Sequence, residues 1–390
     1  MGFVMLKLSG YLKPVNQVGN EERLLKVTSD INLPGTLRSE YCLINPDQSG
    51  PIGYGLILFS GKSTENIPMD SSSPMMTHEG WLDYLEDGDI IRVNFKDGRV
   101  RVLFRASANS NSILLTERCD HFCLMCSQPP KKHDDTALID EAFQLLELIP
   151  ASTKSLGFTG GEPTLYGDQL VELVAHAKRQ LPGTALDLLT NGKAFSDESY
   201  AQKLALVDHP DLVVAVPLYS ASPAVHNYVV QCAGAFDPTI RGILNLKRYR
   251  QQVQLRVVLH RETIPTLIEL CEFIVENLRY VDQVALMGLE TVGFARANLD
   301  TLWIDPYEYR DILSEACDML DTYGIPTNIF NLQKCVVNQQ DWKYQVPSIS
   351  DWKNDFLDVC QTCDERSNCG GFFSSNVLYK HSDYISPIVN

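Results

Sequence analysis

The sequence ILLTERCDHFCLMCSQPPK, residues 113–131, places three cysteines directly after a short apolar run. The apolar run, within residues 112–117, predicts a short buried strand. Cys119, Cys123 and Cys126 follow it, and three thiolates this close together can bind one face of a soft metal centre. A structural site takes four protein ligands, whereas three leave a position open. We therefore expect a metal or iron–sulfur site beyond this strand, with room for a further ligand.

A second motif, FTGGEPTLYG, spans residues 158–167 and follows the next predicted strand. Gly160 and Gly161 allow close approach of the backbone. Glu162 adds a carboxylate that could accept a charge-assisted hydrogen bond from an ammonium group. Taken alone, GGEP is typical of a strand-to-helix turn. One unit after the cysteine loop, it indicates a second part of the same site.

The rest of the central region alternates between predicted strands and helices, which is typical of a parallel sheet with right-handed crossovers. Six such units favour an open, partial barrel over a full eight-unit barrel. The predicted strands cover residues 112–117, 155–159, 185–190, 211–219, 253–260 and 283–288. The predicted helices cover residues 137–149, 167–180, 197–207, 238–250 and 265–278. A last helix is expected to begin at Asp305, with Glu308 completing a capping box, and to end at Gly324.

Two flanking regions complete the predicted organisation: an N-terminal β-rich domain (1–110), a central α/β domain (111–330) and a C-terminal cysteine-rich domain (331–390). The best N-terminal signal is a hairpin in residues 91–105, because Asp97-Gly98 separates two alternating runs. Residues 60–80 are predicted as a loop. The C-terminal region has little periodicity and carries four cysteines, so we expect a metal to stabilise it.

The composition limits the compartment and the partners. The chain has 390 residues, eleven cysteines and a formal net charge of −16. This acidic balance argues against nucleic acid as a partner. We find no apolar run long enough to span a membrane and no secretory signal. A cytoplasmic protein without membrane contact is the expectation, and disulfides are disfavoured there.

Together, the cysteine loop and GGEP resemble the radical S-adenosylmethionine (SAM) superfamily over about residues 110–305. The resemblance implies a radical SAM barrel in which Cys119, Cys123 and Cys126 hold a [4Fe–4S] cluster whose open iron binds SAM. It also implies cofactor contacts from GGEP, LLTNGK, the segment after the fourth strand and MGLETVG. The residues concerned are Gly160, Gly161, Glu162, Pro163, Asn191, Ser220 and Met287. One departure is Met125, where the family usually has an aromatic residue.

The second cysteine group, CQTCDERSNC at residues 360–369, resembles the SPASM-type extension of peptide-modifying radical enzymes. That pattern continues with another cysteine, where this chain has Phe373. With an upstream cysteine included, the resemblance implies one set of four thiolates. Its members are Cys335, Cys360, Cys363 and Cys369. Two alternatives stay open for this set, namely a second [4Fe–4S] cluster and a structural zinc ion, because their ligands are the same.

The layout most resembles the radical maturases of the His-Xaa-Ser peptide system. The matching stretches are residues 116–131, 234–248, 287–306 and 360–373. The resemblance implies a ribosomally made precursor peptide as substrate, a reductant such as flavodoxin or ferredoxin, and a second radical SAM maturase as partner. Two other functions stay open: a radical enzyme acting on a small molecule or nucleoside, and a metal-binding scaffold without activity.

Several further residues carry expectations of their own. His121 is predicted as a solvent-facing loop residue, with a hydrogen bond to the cluster as the alternative. Residues 131–133 form a basic patch, expected as a solvated loop, with docking of a peptide or electron donor as the alternative. Cys271 and Cys317 are predicted core residues. Cys42 and Cys232 have no partner motif.

Overall fold

The computed structural model describes residues 7–16, 19–44, 53–61, 73–347 and 355–389. These residues form two sheets, one of eight strands and one of seven, followed by a C-terminal segment of short helices. The α/β fold class with a partial barrel, a β-rich N-terminal part and a cysteine-rich C-terminal part is confirmed. Within the described residues, no helix is both long enough and apolar enough to cross a membrane.

The N-terminal sheet curls so that its two edge strands are neighbours in sequence. Its strand order is β1-β8-β7-β3-β4-β5-β6-β2. The strands are β1 (Ser9–Tyr11), β2 (Lys13–Pro14), β3 (Glu22–Thr28), β4 (Tyr41–Ile44), β5 (Leu56–Ser60), β6 (Met75–His78), β7 (Ile90–Asn94) and β8 (Arg99–Phe104). The predicted hairpin is confirmed as the antiparallel pair β7–β8. Gly98 has a φ of 74° in its turn, a conformation that favours glycine.

The seven-stranded sheet is parallel throughout and runs in the order β15-β14-β13-β12-β11-β10-β9. Its strands are β9 (Asn111–Thr116), β10 (Ser155–Gly160), β11 (Ala185–Leu189), β12 (Leu212–Pro217), β13 (Gln252–Leu259), β14 (Gln283–Gly288) and β15 (Thr327–Phe330). All six predicted strands are present. β15 is a seventh strand that the sequence analysis missed, because it is only four residues long.

Helices connect these strands, as the sequence pattern predicts. The helices are α1 (Ala137–Leu148), α2 (Asp168–Gln180), α3 (Glu198–Leu206), α4 (Pro223–Val230), α5 (Phe236–Arg248), α6 (Leu267–Asn277), α7 (Gly293–Ala297), α8 (Leu299–Leu302), α9 (Arg310–Thr322) and α10 (Ser374–Leu378). Their apolar faces pack on the sheet in one continuous core, which includes the expected Cys271 and Cys317. Because the carboxyl ends of parallel strands share one edge, the loops after β9 to β14 meet at one mouth.

Two local predictions are wrong. Residues 75–78, expected in a loop, form β6, whose buried Met75 and Met76 pack in the N-terminal cores; residues 62–72 of that loop lie outside the described residues. α9 begins at Arg310 rather than after Asp305. The Asp305 carboxylate accepts from Tyr307 N in a short 3₁₀ turn and also binds Ser382 and Asp383 of the C-terminal segment. Asp305 therefore caps the 3₁₀ turn that precedes α9, and the same carboxylate holds the C-terminal segment.

Candidate active site

A cavity of about 300 Å³ opens at the mouth of the barrel. It brings together parts of all the predicted cofactor segments except the one at Ser220. Among the predicted site residues, its lining includes Cys119, Cys123, Cys126, Gly160, Gly161, Asn191 and Met287. These residues come from the ends of β9, β10, β11 and β14, so the parallel sheet gathers them from more than 160 residues of sequence.

The cysteine loop is held from two sides by backbone contacts. Phe122 N and Leu124 N donate to the carbonyl oxygens at the end of α4, at 3.1 and 2.9 Å. On the other side, Phe294 N donates to Cys126 O at 2.8 Å. Gly293 makes this approach possible, since a Cβ there would lie 2.5 Å from Cys126 O. The loop geometry therefore depends on α4 and α7, which are distant in sequence.

The two glycines of GGEP form a cradle against the cysteine loop. A Cβ on Gly161 would lie 2.0 Å from Arg118 O and 3.1 Å from Cys119 Cβ. A Cβ on Gly160 would lie 2.4 Å from Thr116 O. Gly161 N and Glu162 N donate back to this loop, to Thr116 O and Arg118 O. Only glycine fits at both positions, because any side chain would push the two segments apart.

The Glu162 carboxylate is buried and already fully hydrogen-bonded. Oε1 accepts from Thr164 N, Thr164 Oγ1 and Thr190 Oγ1 at 2.9, 2.6 and 2.7 Å. Oε2 accepts from Asn191 N at 2.6 Å. Burial raises the pKa of Glu162, although the four donors oppose that shift. In this conformation, Gly160 and Gly161 face the cavity, and the carboxylate ties β10 to the loop after β11.

Asp120 and Asn191 connect that network to the cysteine loop. Asn191 Nδ2 donates to Asp120 Oδ1 at 2.7 Å, and Lys193 Nζ donates to Asp120 Oδ2 at 2.7 Å. Lys193 Nζ also lies 3.7 Å from the Cys232 sulfur. Cys232, which has no motif in the sequence, thus lies beside the candidate cluster loop. Only the fold reveals this neighbour.

Ser220 and Pro163 lie outside the cavity lining. Ser220 is fully buried, and its Oγ accepts from Ser222 N at 3.1 Å and lies 3.1 Å from Thr266 Oγ1. Pro163 is buried at the start of the 3₁₀ turn Pro163–Tyr166. In this structure, both residues pack within the loops whose other residues, such as Tyr219 and Gly161, line the cavity.

The prediction that His121 faces solvent is wrong. Its side chain is 2% exposed, and both ring nitrogens are buried without a hydrogen-bond partner in the described part of the chain. Burial lowers the pKa of His121 to about 4, so the ring is neutral near pH 7. The ring lines the cavity. The loop packs on α4, and this packing turns the histidine inwards.

Two residues of the cavity were missed by the sequence analysis. Arg256, on β13, has a half-buried side chain whose Nε and Nη2 lie 3.3 Å from the Met287 sulfur. Burial lowers the pKa of Arg256, and the nearby Tyr219 and Asp187 oppose this shift. Tyr219, at the end of β12, also lines the cavity and stacks on His226 at 5.9 Å between ring centroids. The only sequence signal for Arg256 is a lone cation in an apolar strand.

The donor set fits a metal cluster. All eleven cysteines are free thiols. Burial raises the pKa of Cys119 to about 12 and raises the pKa of Cys123 and of Cys126 as well. Buried thiols without a positive partner stay protonated, whereas coordination to iron removes the proton. Three thiols on one open cavity, beside a glycine cradle, can hold a cluster and leave space for a ligand.

The second cysteine group surrounds a much smaller cavity of about 20 Å³. All four predicted ligands line it, together with apolar side chains from the C-terminal segment. Those ligands are Cys335, Cys360, Cys363 and Cys369. Ile388 N donates to the Cys363 sulfur at 3.3 Å, and Lys334 pairs with Glu365 at 2.7 Å next to it. Burial raises the pKa of Cys335 and of Cys360.

In the described ranges, no group of three His, Cys, Asp or Glu side chains converges on the position of a single metal ion. In each cysteine group, the sulfurs therefore surround a cavity and do not meet at the position of one metal ion.

Residues 113–274 match the family model of the Radical SAM superfamily. This stretch is a radical SAM domain. A radical SAM domain implies a [4Fe–4S] cluster and SAM as its cofactors. The matched residues begin in β9 and end in α6, so they include the cysteine loop and the glycine cradle.

Solved structures with a similar fold include Streptococcus suis SuiB, at 16% identity and a TM-score of 0.46, covering 60% of this chain and 51% of that chain. SuiB bound to the precursor peptide SuiA matches at 14% identity and a TM-score of 0.48, covering 73% of this chain and 75% of that one. Native anSMEcpe with bound AdoMet matches at 20% identity and a TM-score of 0.42, covering 56% and 62%. The chain thus spans about half the length of the SuiB chain without peptide.

Proposed function

We propose that this chain is a radical SAM peptide maturase that modifies a ribosomally made peptide with His-Xaa-Ser repeats. The observation that carries the proposal is the position of three thiols on the open cavity of a radical SAM domain. The peptide substrate rests on the sequence resemblance at residues 116–131, 234–248, 287–306 and 360–373. The proposed division is an N-terminal domain (1–110), a core (111–330) and an auxiliary-site domain (331–390).

Cys119, Cys123 and Cys126 would hold the [4Fe–4S] cluster. When bound and reduced, the cluster and SAM would supply one-electron cleavage of SAM and the hydrogen-abstracting radical chemistry of this superfamily. The glycine cradle at Gly160 and Gly161 lets the cofactor approach the backbone.

The other groups on the cavity bind and orient rather than transfer electrons. Arg256 is a half-buried cation on the cavity with no carboxylate within 4 Å in the described ranges, so it would bind an anionic group of the cofactor or the substrate. The Asp120–Asn191–Glu162 network fixes the loops that form the mouth. The apolar lining, which includes Leu189 and Val258, limits water around a reactive radical.

We assign the second cysteine group to one auxiliary metal site, a [4Fe–4S] cluster or a structural zinc ion. Four thiols around a small, apolar cavity suit a closed site without a substrate position. A reductant such as flavodoxin or ferredoxin, a second radical SAM maturase, and a cytoplasmic location complete the proposal.

The test is anaerobic incubation of the reconstituted protein with SAM, dithionite and a synthetic His-Xaa-Ser repeat peptide, followed by mass spectrometry. We expect 5′-deoxyadenosine and a mass change in the peptide. 5′-Deoxyadenosine without any peptide change would favour a small-molecule or nucleoside substrate. A reduced, cluster-loaded protein that forms no 5′-deoxyadenosine would overturn the proposal.

A further inference from the structure

A cleft of about 370 Å³ lies between the N-terminal sheet and the first barrel strand, outside the candidate active site. We infer that this intersheet cleft binds an extended, acidic segment of the precursor peptide and holds it beside the mouth of the barrel. The inference rests on the proposed peptide substrate, and it adds the docking site and the chemistry of the docked segment. Its cations are Arg92, Arg99, Arg101 and Lys131, and its apolar contacts are Leu114 and Leu138.

The cleft is locally positive on a chain that is acidic overall. The lining has four cations and two carboxylates, Glu22 and Glu117, and the buried Glu141 binds two of the arginines, so a net charge of +1 remains, against −16 for the whole chain. Arg101 pairs with Glu141 at 2.6 Å, and Arg92 binds the same carboxylate and Glu22. Lys131 pairs with Glu117 at 2.6 Å. Such a patch attracts acidic groups and repels basic ones.

Arg99 is the cation best placed to bind a partner. It is exposed, and no Asp or Glu among the described residues lies within 4 Å of its charged nitrogens. Its contact is Tyr11 of the short edge strand β1, whose ring lies 6.0 Å from the guanidinium carbon. A guanidinium positioned by an aromatic ring can still bind a carboxylate with two parallel hydrogen bonds.

The backbone beside the cleft offers a second means of recognition. β9 is the last strand of its sheet and pairs only with β10 in the described ranges. Leu114, in the middle of β9, lines the cleft. An extended peptide can add to such an open edge through backbone hydrogen bonds, while alternate side chains reach neighbouring pockets. The arginines of β7 and β8 lie where those acidic side chains would reach.

The cleft is close enough to the active site to guide a substrate. Ser127 and Gln128 line the barrel cavity, and Lys131 lines the cleft. Lys131 lies three positions after Gln128 in the chain, a reach of at most about 11 Å. A peptide held in the cleft therefore presents residues only a few positions away to the cavity. This geometry uses the basic patch at residues 131–133, which is exposed as the sequence predicts.

Fluorescence anisotropy with three labelled peptides of about ten residues, a length that passes the whole of β9, tests the proposal. One alternates Glu and Val, one alternates Lys and Val, and one repeats the Glu-Val sequence with every second amide N-methylated. We expect the Glu-Val peptide to bind, the Lys-Val peptide to fail, and N-methylation to weaken binding at least about tenfold. Equal binding of the two Glu-Val forms would overturn the strand addition, and equal binding of the Lys-Val peptide would overturn the acidic preference.

Substitutions of Arg99 test whether the peptide binds in the cleft. Arg99→Glu is expected to weaken Glu-Val binding at least about tenfold, with Arg99→Gln intermediate. Arg241→Glu is the matched control, because Arg241 is an exposed arginine on α5, away from the cleft. Circular dichroism melts verify that each variant is folded. Equal losses of Glu-Val affinity in the Arg99 and Arg241 variants would show that the peptide does not bind in the cleft.

A final measurement separates this inference from the proposed function. In the Arg99→Glu variant, 5′-deoxyadenosine formation without peptide should stay at the wild-type rate, while modification of a full precursor at low concentration falls. If wild-type protein modifies no peptide but still binds the Glu-Val probe in the cleft, the proposed substrate fails and the docking site stands. If the wild-type protein and the Arg99→Glu variant modify a precursor equally well, the docking site fails and the proposed function stands.

Discussion

The two cysteine groups use similar ligands in very different surroundings. The first has three thiols on a cavity of about 300 Å³, and the second has four around about 20 Å³. The first lies on loops that follow strands of a continuous parallel sheet. The second lies among short 3₁₀ turns and is closed by the chain's last residues, including Ile385 and Ile388.

In the proposed function, access to the thiols rather than ligand type separates the reactive site from the auxiliary one. At the first site, the strand ends leave open space and the glycine cradle keeps side chains out of it. At the second site, apolar side chains such as Phe356 and Phe372 fill the space around the thiols. An open position can bind a cofactor, whereas a closed one mainly stabilises the fold.

The largest expected effect is the loss of SAM cleavage in Cys123→Ala. Removing one of three thiols leaves the first cluster without enough ligands. Iron should fall from about eight to about four atoms per chain if the second site also holds a cluster. 5′-Deoxyadenosine is measured by chromatography and iron by a colorimetric assay. The control is Cys232→Ala, the neighbouring thiol at Lys193, which should keep its iron. Cofactor cleavage retained in Cys123→Ala would contradict the assignment.

Cys363→Ala should lose metal at the second site but keep SAM cleavage, the opposite of Cys123→Ala. We expect the second site to lose its metal, either about four irons or one zinc, while SAM cleavage without peptide stays within about threefold of wild type. Elemental analysis of the pure protein distinguishes iron from zinc. Cys317→Ala is the control, because that thiol is buried in α9 away from both groups. Loss of SAM cleavage in Cys363→Ala alone would mean that the two sites are not separate.

Glu162→Ala is expected to destabilise the open site by at least about 3 kcal/mol, because it leaves four buried donors without an acceptor. The milder Thr190→Val removes one of those donors and should cost about 1 kcal/mol. Chemical unfolding of the metal-free protein measures both. Equal stability of Glu162→Ala and wild type would show that the network does not hold the mouth together.

Gly161→Ala should destabilise the protein by about 1–3 kcal/mol and weaken SAM binding, because the added Cβ collides with Arg118 O. Gly183→Ala is the matched control: its Cβ would meet nothing within 4 Å. That variant should be neutral or stabilised by up to about 1 kcal/mol. Isothermal titration with SAM and thermal melts give both quantities. Equal stability and equal SAM affinity of the two variants would show that the close contact at Gly161 does not shape the open site.

The last prediction concerns acid stability near the open site. Burial lowers the pKa of His226 to about 4 and of His260 to about 3. Both are neutral when folded, and unfolding lets them bind protons below their usual pKa of about 6.5. Stability is therefore lost as pH falls from about 6.5 towards 4 for His226 and towards 3 for His260, at up to about 1.4 kcal/mol per pH unit for each histidine. His260→Gln should reduce this slope in pH-dependent melts, and an unchanged slope would contradict the burial effect.

The sequence by itself determined the parts that depend on local pattern. Alternating strand and helix periodicity gave six of the seven parallel strands, since each segment carries its own apolar face. The spacing of Cys119, Cys123 and Cys126 and the pair Gly160-Gly161 lie within short loops that follow strands. The carboxyl ends of parallel strands meet at one edge, so even their proximity followed from order in the chain.

The tertiary structure decided which side chains face the cavity. His121 turned inwards because its loop packs on α4, and Asp305, which caps a short 3₁₀ turn, also binds the C-terminal segment. Arg256 and Cys232 reached the site without any motif. These positions depend on contacts between residues far apart in sequence, whose packing energies exceed local preferences. The local pattern of a sequence does not predict such long-range contacts, so only the folded chain reveals them.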